Sequence, residues 1–365
     1  MNHTAAGAFR RRLIAAGSLT AVAALALTGC AGGSGADAGD GADSDPIGVS
    51  LIVKTTTNPF FVAMQDGAEA AAEKLGVELT LAAGKEDGDE DTQIQAIENA
   101  ISKGDAGILI PPNGPGVEDA LVKARDAGLF VIALDTPPAD PEAVDITFAT
   151  DNFAAGQEIG RWTAAKLAGE TATIALIDLF DDKIVSVDYN RDQGFLDGMG
   201  IDTADAAVNG DEASTGTYSG GDYEIVGNEA SGGAEDGGRT AAETLLSKNP
   251  DINVVYTINE PAAYGAYEAF KAAGRDDVIV VSVDGGCAGV EQVGEGIIGA
   301  TSQQYPVKMA ELGVQAIFDL VKTGTAPETT EGLDFFDTGV ALVTDDPQDG
   351  VESIDTAQGG EICWG

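Results

Sequence analysis

The sequence predicts an α/β protein of two similar lobes, each a doubly wound parallel sheet, and three observations predict it. From Ile47 onward, short β-rich runs alternate with segments of helical periodicity, which is the pattern of βαβ units and a parallel sheet. The alternation restarts after Ala149. About 320 residues follow Pro46, too many for one typical core and suited to two.

In the first half the expected strands are residues 47–53, 77–82, 106–110, 129–134 and 146–149. The helix after the first strand is the best marked. Asn58 stands at the N-cap and Pro59 at the first helical position; Phe60, Met64, Ala68, Ala71 and Leu75 share one stripe, and Gly76 is the stop. In the second half, strands are expected at 173–177, 254–258 and 278–283, and helices around 159–167, 239–247 and 262–273. Residues 209–238, thick with Gly, Ser, Asp and Glu and broken only by short apolar runs such as 223–226, read as a surface excursion with weak secondary structure. No GxGxxG follows a strand and no GxxxxGK[ST] occurs, so nucleotide binding is not expected.

Residues 1–29 carry Arg10, Arg11 and Arg12, then an apolar run over 13–27, without a single Asp or Glu. Charge and length make this a signal peptide; the run falls short of the ~20 apolar residues of a membrane-spanning helix. Residues 30–46 are almost wholly Gly, Ala, Ser and Asp, the composition of a flexible tether. Leu27-Thr28-Gly29-Cys30 resembles the bacterial lipobox, which implies cleavage before Cys30 and lipidation of its thiol.

The formal charge of -42 becomes -45 once three arginines leave with the leader, a field that repels nucleic acid and anionic surfaces. Asp and Glu crowd loops such as 86–91 and 345–349, as a solvated acidic face would, and no stretch has the spacing of a calcium loop. The one His, His3, lies in the leader, which excludes Ser-His-Asp catalysis and His-ligated zinc in the exported chain. Cys287 and Cys363 form no CxxC pair and are a disulfide candidate in an oxidising compartment. No metal or cofactor is expected.

Ligands of open parallel sheets sit beyond the carboxyl ends of the strands. There the chain places Lys54, Asn58, Asp135, Asn259, Glu260 and Asp284, donors and acceptors suited to a polyhydroxylated molecule.

Six motifs make the resemblance specific. Thr57-Asn58-Pro59-Phe60-Phe61, Leu134-Asp135, Asn190-Arg191 with Gly194-Phe195, Asn259-Glu260-Pro261, the run Val281 to Cys287 and the run Ala300 to Pro306 together resemble the ribose-type, or type I, periplasmic binding proteins. The last three look most like the fructose-binding branch. The resemblance implies two lobes, 47–150 plus 305–338 and 151–304 plus 339–365, joined by a multi-segment hinge. It implies a monomer that closes over one monosaccharide, fructose favoured, and delivers it to an ABC permease in the membrane, without enzymatic activity. Phe60 and Phe61 would sandwich the sugar, with Asn58 and Lys54 on its hydroxyls and Asp135 accepting beside them. Arg191 would donate to the ring or anomeric oxygen, Asn259 and Asp284 would hold the opposite edge, and Gln304 would reach in from a hinge crossing.

Thr136 stands where ribose binders carry an Arg, and Gly233 where they carry a second-lobe aromatic, so the pattern departs from ribose. Bland readings stand beside these roles: Asn58 as a cap, Phe60 as part of a buried stripe, Asp135 as the start of a turn, and Trp162 and Trp364 as packing. A sugar sensor for a membrane kinase and a carbohydrate-active enzyme are the alternative functions of such a fold.

Overall fold

The computed structural model describes residues 46–365. The expected leader, tether and Cys30 lie outside the described residues, among which no helix is long and apolar enough to cross a membrane.

In the first sheet β1 (Ile47–Val53), β2 (Val77–Ala83), β3 (Gly107–Ile110), β4 (Phe130–Leu134) and β5 (Ile146–Ala149) run parallel in the order β2-β1-β3-β4-β5. In the second, β6 (Ala172–Asp178), β8 (Asp222–Ala230), β9 (Val254–Thr257), β10 (Ile279–Asp284) and β11 (Ala300–Gln303) repeat that order as β8-β6-β9-β10-β11. Short strands finish the edges: β12 (Phe336–Asp337) beside β5, and the antiparallel β7 (Thr215–Thr217) and β13 (Ala341–Val343) beside β8 and β11. The chain passes from one sheet to the other after β5, after β11 and between β12 and β13.

Both faces of each sheet are covered, which is why the central strands are apolar throughout rather than alternating. Helices α1 (Pro59–Leu75) and α9 (Pro306–Thr323) pack on one face of the first sheet, α2 (Glu90–Lys103) and α3 (Glu118–Asp126) on the other. In the second sheet α4 (Asn152–Leu167) and α5 (Ser186–Met199) oppose α6 (Glu235–Lys248), α7 (Glu260–Ala272) and α8 (Cys287–Gly294). Glycines bring α4 and α5 unusually close: a Cβ at Gly156 would meet the backbone of Arg191 and Phe195, and one at Gly194 the backbone of Phe153. That contact fixes where α5 carries Arg191.

Residues 209–238 are not a surface excursion. They contain β7, β8 and the start of α6, and β8 pairs with β6 over its length. The apolar run at 223–226 is the core of β8, with Tyr223 and Ile225 buried. A register shift opposite Ile174 and Ala175 lets its second half continue through Gly227, whose φ of 147° no β-former adopts easily.

Cys287 and Cys363 are joined as a disulfide, with Cα atoms 4.9 Å apart and a sequence separation of 76. It ties α8 to the tail that follows α10 (Thr356–Ile362), where Trp364 bridges Gly286. Closing a loop of that length restricts the unfolded chain by about 4 kcal/mol on the chain-entropy account. The double variant Cys287→Ser, Cys363→Ser is expected to lose stability of that order in denaturant titration; a loss within about 0.5 kcal/mol would show the bond to be dispensable.

Candidate functional site

Beyond the carboxyl ends of the strands lies a narrow cleft. All nine residues expected at the ligand line it: Lys54, Asn58, Phe60, Phe61, Asp135, Arg191, Asn259, Asp284 and Gln304. Asp87, Leu179, Val187 and Ile258 complete the wall.

Two aspartates sit at corresponding places in the two sheets, Asp135 just after β4 and Asp284 ending β10. Both have positive φ, 61° and 151°, and only Ala168 and Ala204 share this among the described non-glycine residues. Such backbone costs of order 1–3 kcal/mol and persists where surroundings hold it. Here they do. Thr136 Oγ1 donates to Asp135 Oδ2 at 2.8 Å, and Gln304 Nε2 donates to Asp284 Oδ1 at 2.9 Å. Glu260 braces the turn after Asp284 by accepting from the N–H groups of Gly285 and Gly286 and from Thr301 Oγ1.

Arg191, 4% exposed, crosses between the sheets. Its Nε donates to Asn152 Oδ1 at 2.7 Å, its Nη1 to the carbonyl of Ile258 at 2.9 Å, and its Nη2 lies 3.5 Å from Asp135 Oδ1. One guanidinium thus binds α4, the end of β9 and the first sheet together. Lys54, equally buried, lies 3.8 Å from Asp87 Oδ1 and 5.9 Å from the Phe61 ring centre.

Burial sets the protonation. It pushes Asp284 up to about 6, with Arg191 pulling back, and Glu260 up to about 8, with Asp284 adding to the rise. Asp87 is raised for the same reason, against the attraction of Lys54. Two acceptors on the cleft wall, Asp87 Oδ1 and Gln304 Oε1, have no hydrogen-bond donor among the described residues.

Residues 47–326 match the family model described as periplasmic binding protein domain. The chain belongs to the periplasmic binding protein family. Among curated relatives of this family, the ribose import binding protein of Escherichia coli K12 is 28% identical over 275 residues, spanning 75% of this chain and 84% of that protein. The D-apiose import binding protein of Actinobacillus succinogenes is 30% identical over 288 residues, 78% of this chain and 85% of its own. An ABC transporter solute-binding protein of Agrobacterium vitis, crystallised with D-fucose, superposes with a TM-score of 0.71 at 25% identity over 87% of this chain and 100% of that one. The type I periplasmic-binding fold expected from the six motifs is therefore the observed one.

The periplasmic-binding-protein motifs misled on one point of geometry. Phe60 and Phe61 stand edge to face, centroids 5.2 Å apart and planes at 87°, and leave no slot between them for a sugar ring. The reason is local: neighbours in a helix point about 100° apart. Phe60 turns instead onto Trp364, at 5.4 Å and 81°, so the tail tryptophan packs as expected but against a cleft residue of the other sheet. Asn58 and Asn259 both cap helices, accepting from Phe60 N and Ala262 N. Asn259 also donates to the carbonyl of Gly233.

Asp87 went unread. It sits in an acidic loop that looks solvated throughout, yet its side chain is only 9% exposed and faces Lys54. A lysine ending a buried strand needs an anion nearby, and that was the available signal.

Proposed function

We propose that the chain is an extracytoplasmic solute-binding lipoprotein, held to the membrane through Cys30, that captures one monosaccharide unit between its lobes and presents it to an ABC permease. Lobes 47–150 plus 305–338 and 151–304 plus 339–365 close about the three crossings, and the monomer needs no cofactor. The observation that carries this reading is the pair of buried acceptors that lack a hydrogen-bond donor among the described residues. Buried oxygens without donors cost about 1–3 kcal/mol each, and sugar hydroxyls donating to Asp87 Oδ1 and Gln304 Oε1 remove that cost. Lys54 and Arg191 donate to ring and hydroxyl oxygens, Asp135 and Asp284 accept, and Phe61 covers an apolar face. Fructose is favoured by the motifs at 259–261, 281–287 and 300–306.

Closure is favourable only where ligand binds the closed form better, and a sugar touching Asp87 and Asp284 at once meets that condition. A thermal-shift panel of fructose, ribose, mannose, xylose, galactose and glucose on the chain from Gly32 onward tests it. A bound sugar at a hundredfold excess over Kd adds about 2.7 kcal/mol and raises the midpoint by several degrees. Asp284→Ala is expected to erase the shift. Six sugars without any shift, or an intact shift in Asp284→Ala, would overturn the reading.

A further inference from the structure

The narrow cleft is not the only space between the two sheets. Beside it lies an outer cleft of about 1000 Å³, and the two share Asn58, Asp87 and Asp284 as walls. The outer cleft is several times larger than one sugar unit needs.

Gly233 packs at the boundary between the two spaces. Gly233 lines the outer cleft, while a Cβ built on it would sit 3.0 Å from Leu179 Cδ1 and 3.1 Å from Asn259 Nδ2, both walls of the inner cleft. Any side chain there would press on Leu179 and Asn259, and its φ of 67° suits glycine. On the outer side, the half-buried Tyr264 offers ring surface, and Thr57, Thr240 and Gln292 offer hydroxyl and amide groups. Among the described residues no Lys or Arg lines this space, whereas several carboxylates do. Aromatic surface ringed by acceptors suits a neutral molecule rich in hydroxyl donors and C–H faces, and repels phosphates and sugar acids.

We infer that the ligand is a glycoside: one sugar unit held in the inner cleft, joined past the shared wall of Asn58, Asp87 and Asp284 to a second neutral sugar residue in the outer cleft against Tyr264. This rests on the monosaccharide-capture reading above and extends the substrate from a free sugar to a disaccharide or short oligosaccharide.

Calorimetry with matched pairs tests it: fructose against sucrose and inulobiose, galactose against melibiose, xylose against xylobiose, glucose against maltose. At least one disaccharide is expected to bind about tenfold more tightly than the free sugar it contains, the equivalent of one added aromatic contact. Tyr264→Ala is then expected to remove that gain and leave the monosaccharide affinity unchanged. A monosaccharide that binds while every disaccharide binds more weakly overturns the extension and leaves the capture reading standing. If no sugar of either length binds, both fall.

Discussion

Arg191→Ala is expected to weaken sugar binding by about 100-fold or more, the loss of 3–5 kcal/mol that follows when one partner of a buried ionic contact is removed. The alanine variant takes away three anchors at once: Asn152, the Ile258 carbonyl and Asp135. It also leaves Asp135 and Asp284 facing the same small space with Lys54 as the one cation lining it among the described residues. Because the Asp135 contact joins one sheet to the other, its loss falls on the state in which the two sheets meet. The unliganded midpoint should therefore drop less than the affinity does. Arg191→Lys separates charge from shape. An ammonium keeps the positive charge but cannot hold three partners in a fixed plane, so an intermediate loss is expected. Calorimetry on both variants, with small-angle scattering to follow ligand-induced compaction, provides the test. Affinity within threefold of wild type in Arg191→Ala would remove the guanidinium from the binding site.

The architecture was legible because buried parallel strands announce themselves. Residues 47–53 and 129–134 are continuous apolar runs, and Asn58-Pro59 with Gly76 marks both ends of α1. β8 was hidden for the opposite reason. It lies near the sheet edge, carries Gly227, Asn228 and Glu229 in its second half, and its burial is partial from Val226 on. The cleft was legible at the level of which residues gather, since strand ends in this topology must converge. Their orientations were not. Two adjacent phenylalanines look like a pair of jaws in sequence, and only helix geometry shows that they cannot act as one. Trp364 was beyond reach in another sense: it meets Phe60 because a disulfide and a bridge at Gly286 fold the tail back, a contact nearly the whole chain apart in sequence. The strain at Asp135 and Asp284 is invisible to composition, since aspartate at a strand end also starts an ordinary turn.

A second large effect is expected away from the cleft, in the interior of the second sheet's layer. Asp178 at the end of β6 and Asp192 on α5 face each other at hydrogen-bond distance, both fully buried; Asn228 Nδ2 donates to Asp178 Oδ2 at 2.9 Å, while Asp178 Oδ1 and Asp192 Oδ2 have no donor placed on them among the described residues. Asp188 lies close by, accepting from the N–H groups of Leu179 and Phe180. Burial raises all three: Asp178 to about 6, Asp188 to about 8 with Asp178 adding to the rise, and Asp192 well above the carboxylate range. Two carboxyl groups so placed are stable when they share a proton. The sign follows from linkage. Unfolded aspartates titrate near 4 while the folded ones hold protons to higher pH, so the stability they confer is complete below about pH 4 and is lost as pH rises through 6 to 8. Repulsion among the many surface acids acts in the same direction, so the pH profile of wild type alone cannot isolate the pair. Asp192→Asn does. The amide keeps an acceptor for Gln193 Nε2, gains a donor for Asp178 Oδ1 and cannot ionise. Its midpoint should match wild type near pH 5 and exceed it by several degrees near pH 8.5, measured by thermal denaturation in one buffer series. A constant difference across that range, or a lower midpoint at pH 8.5, would mean that the pair does not carry a shared proton and that its stability comes from packing alone.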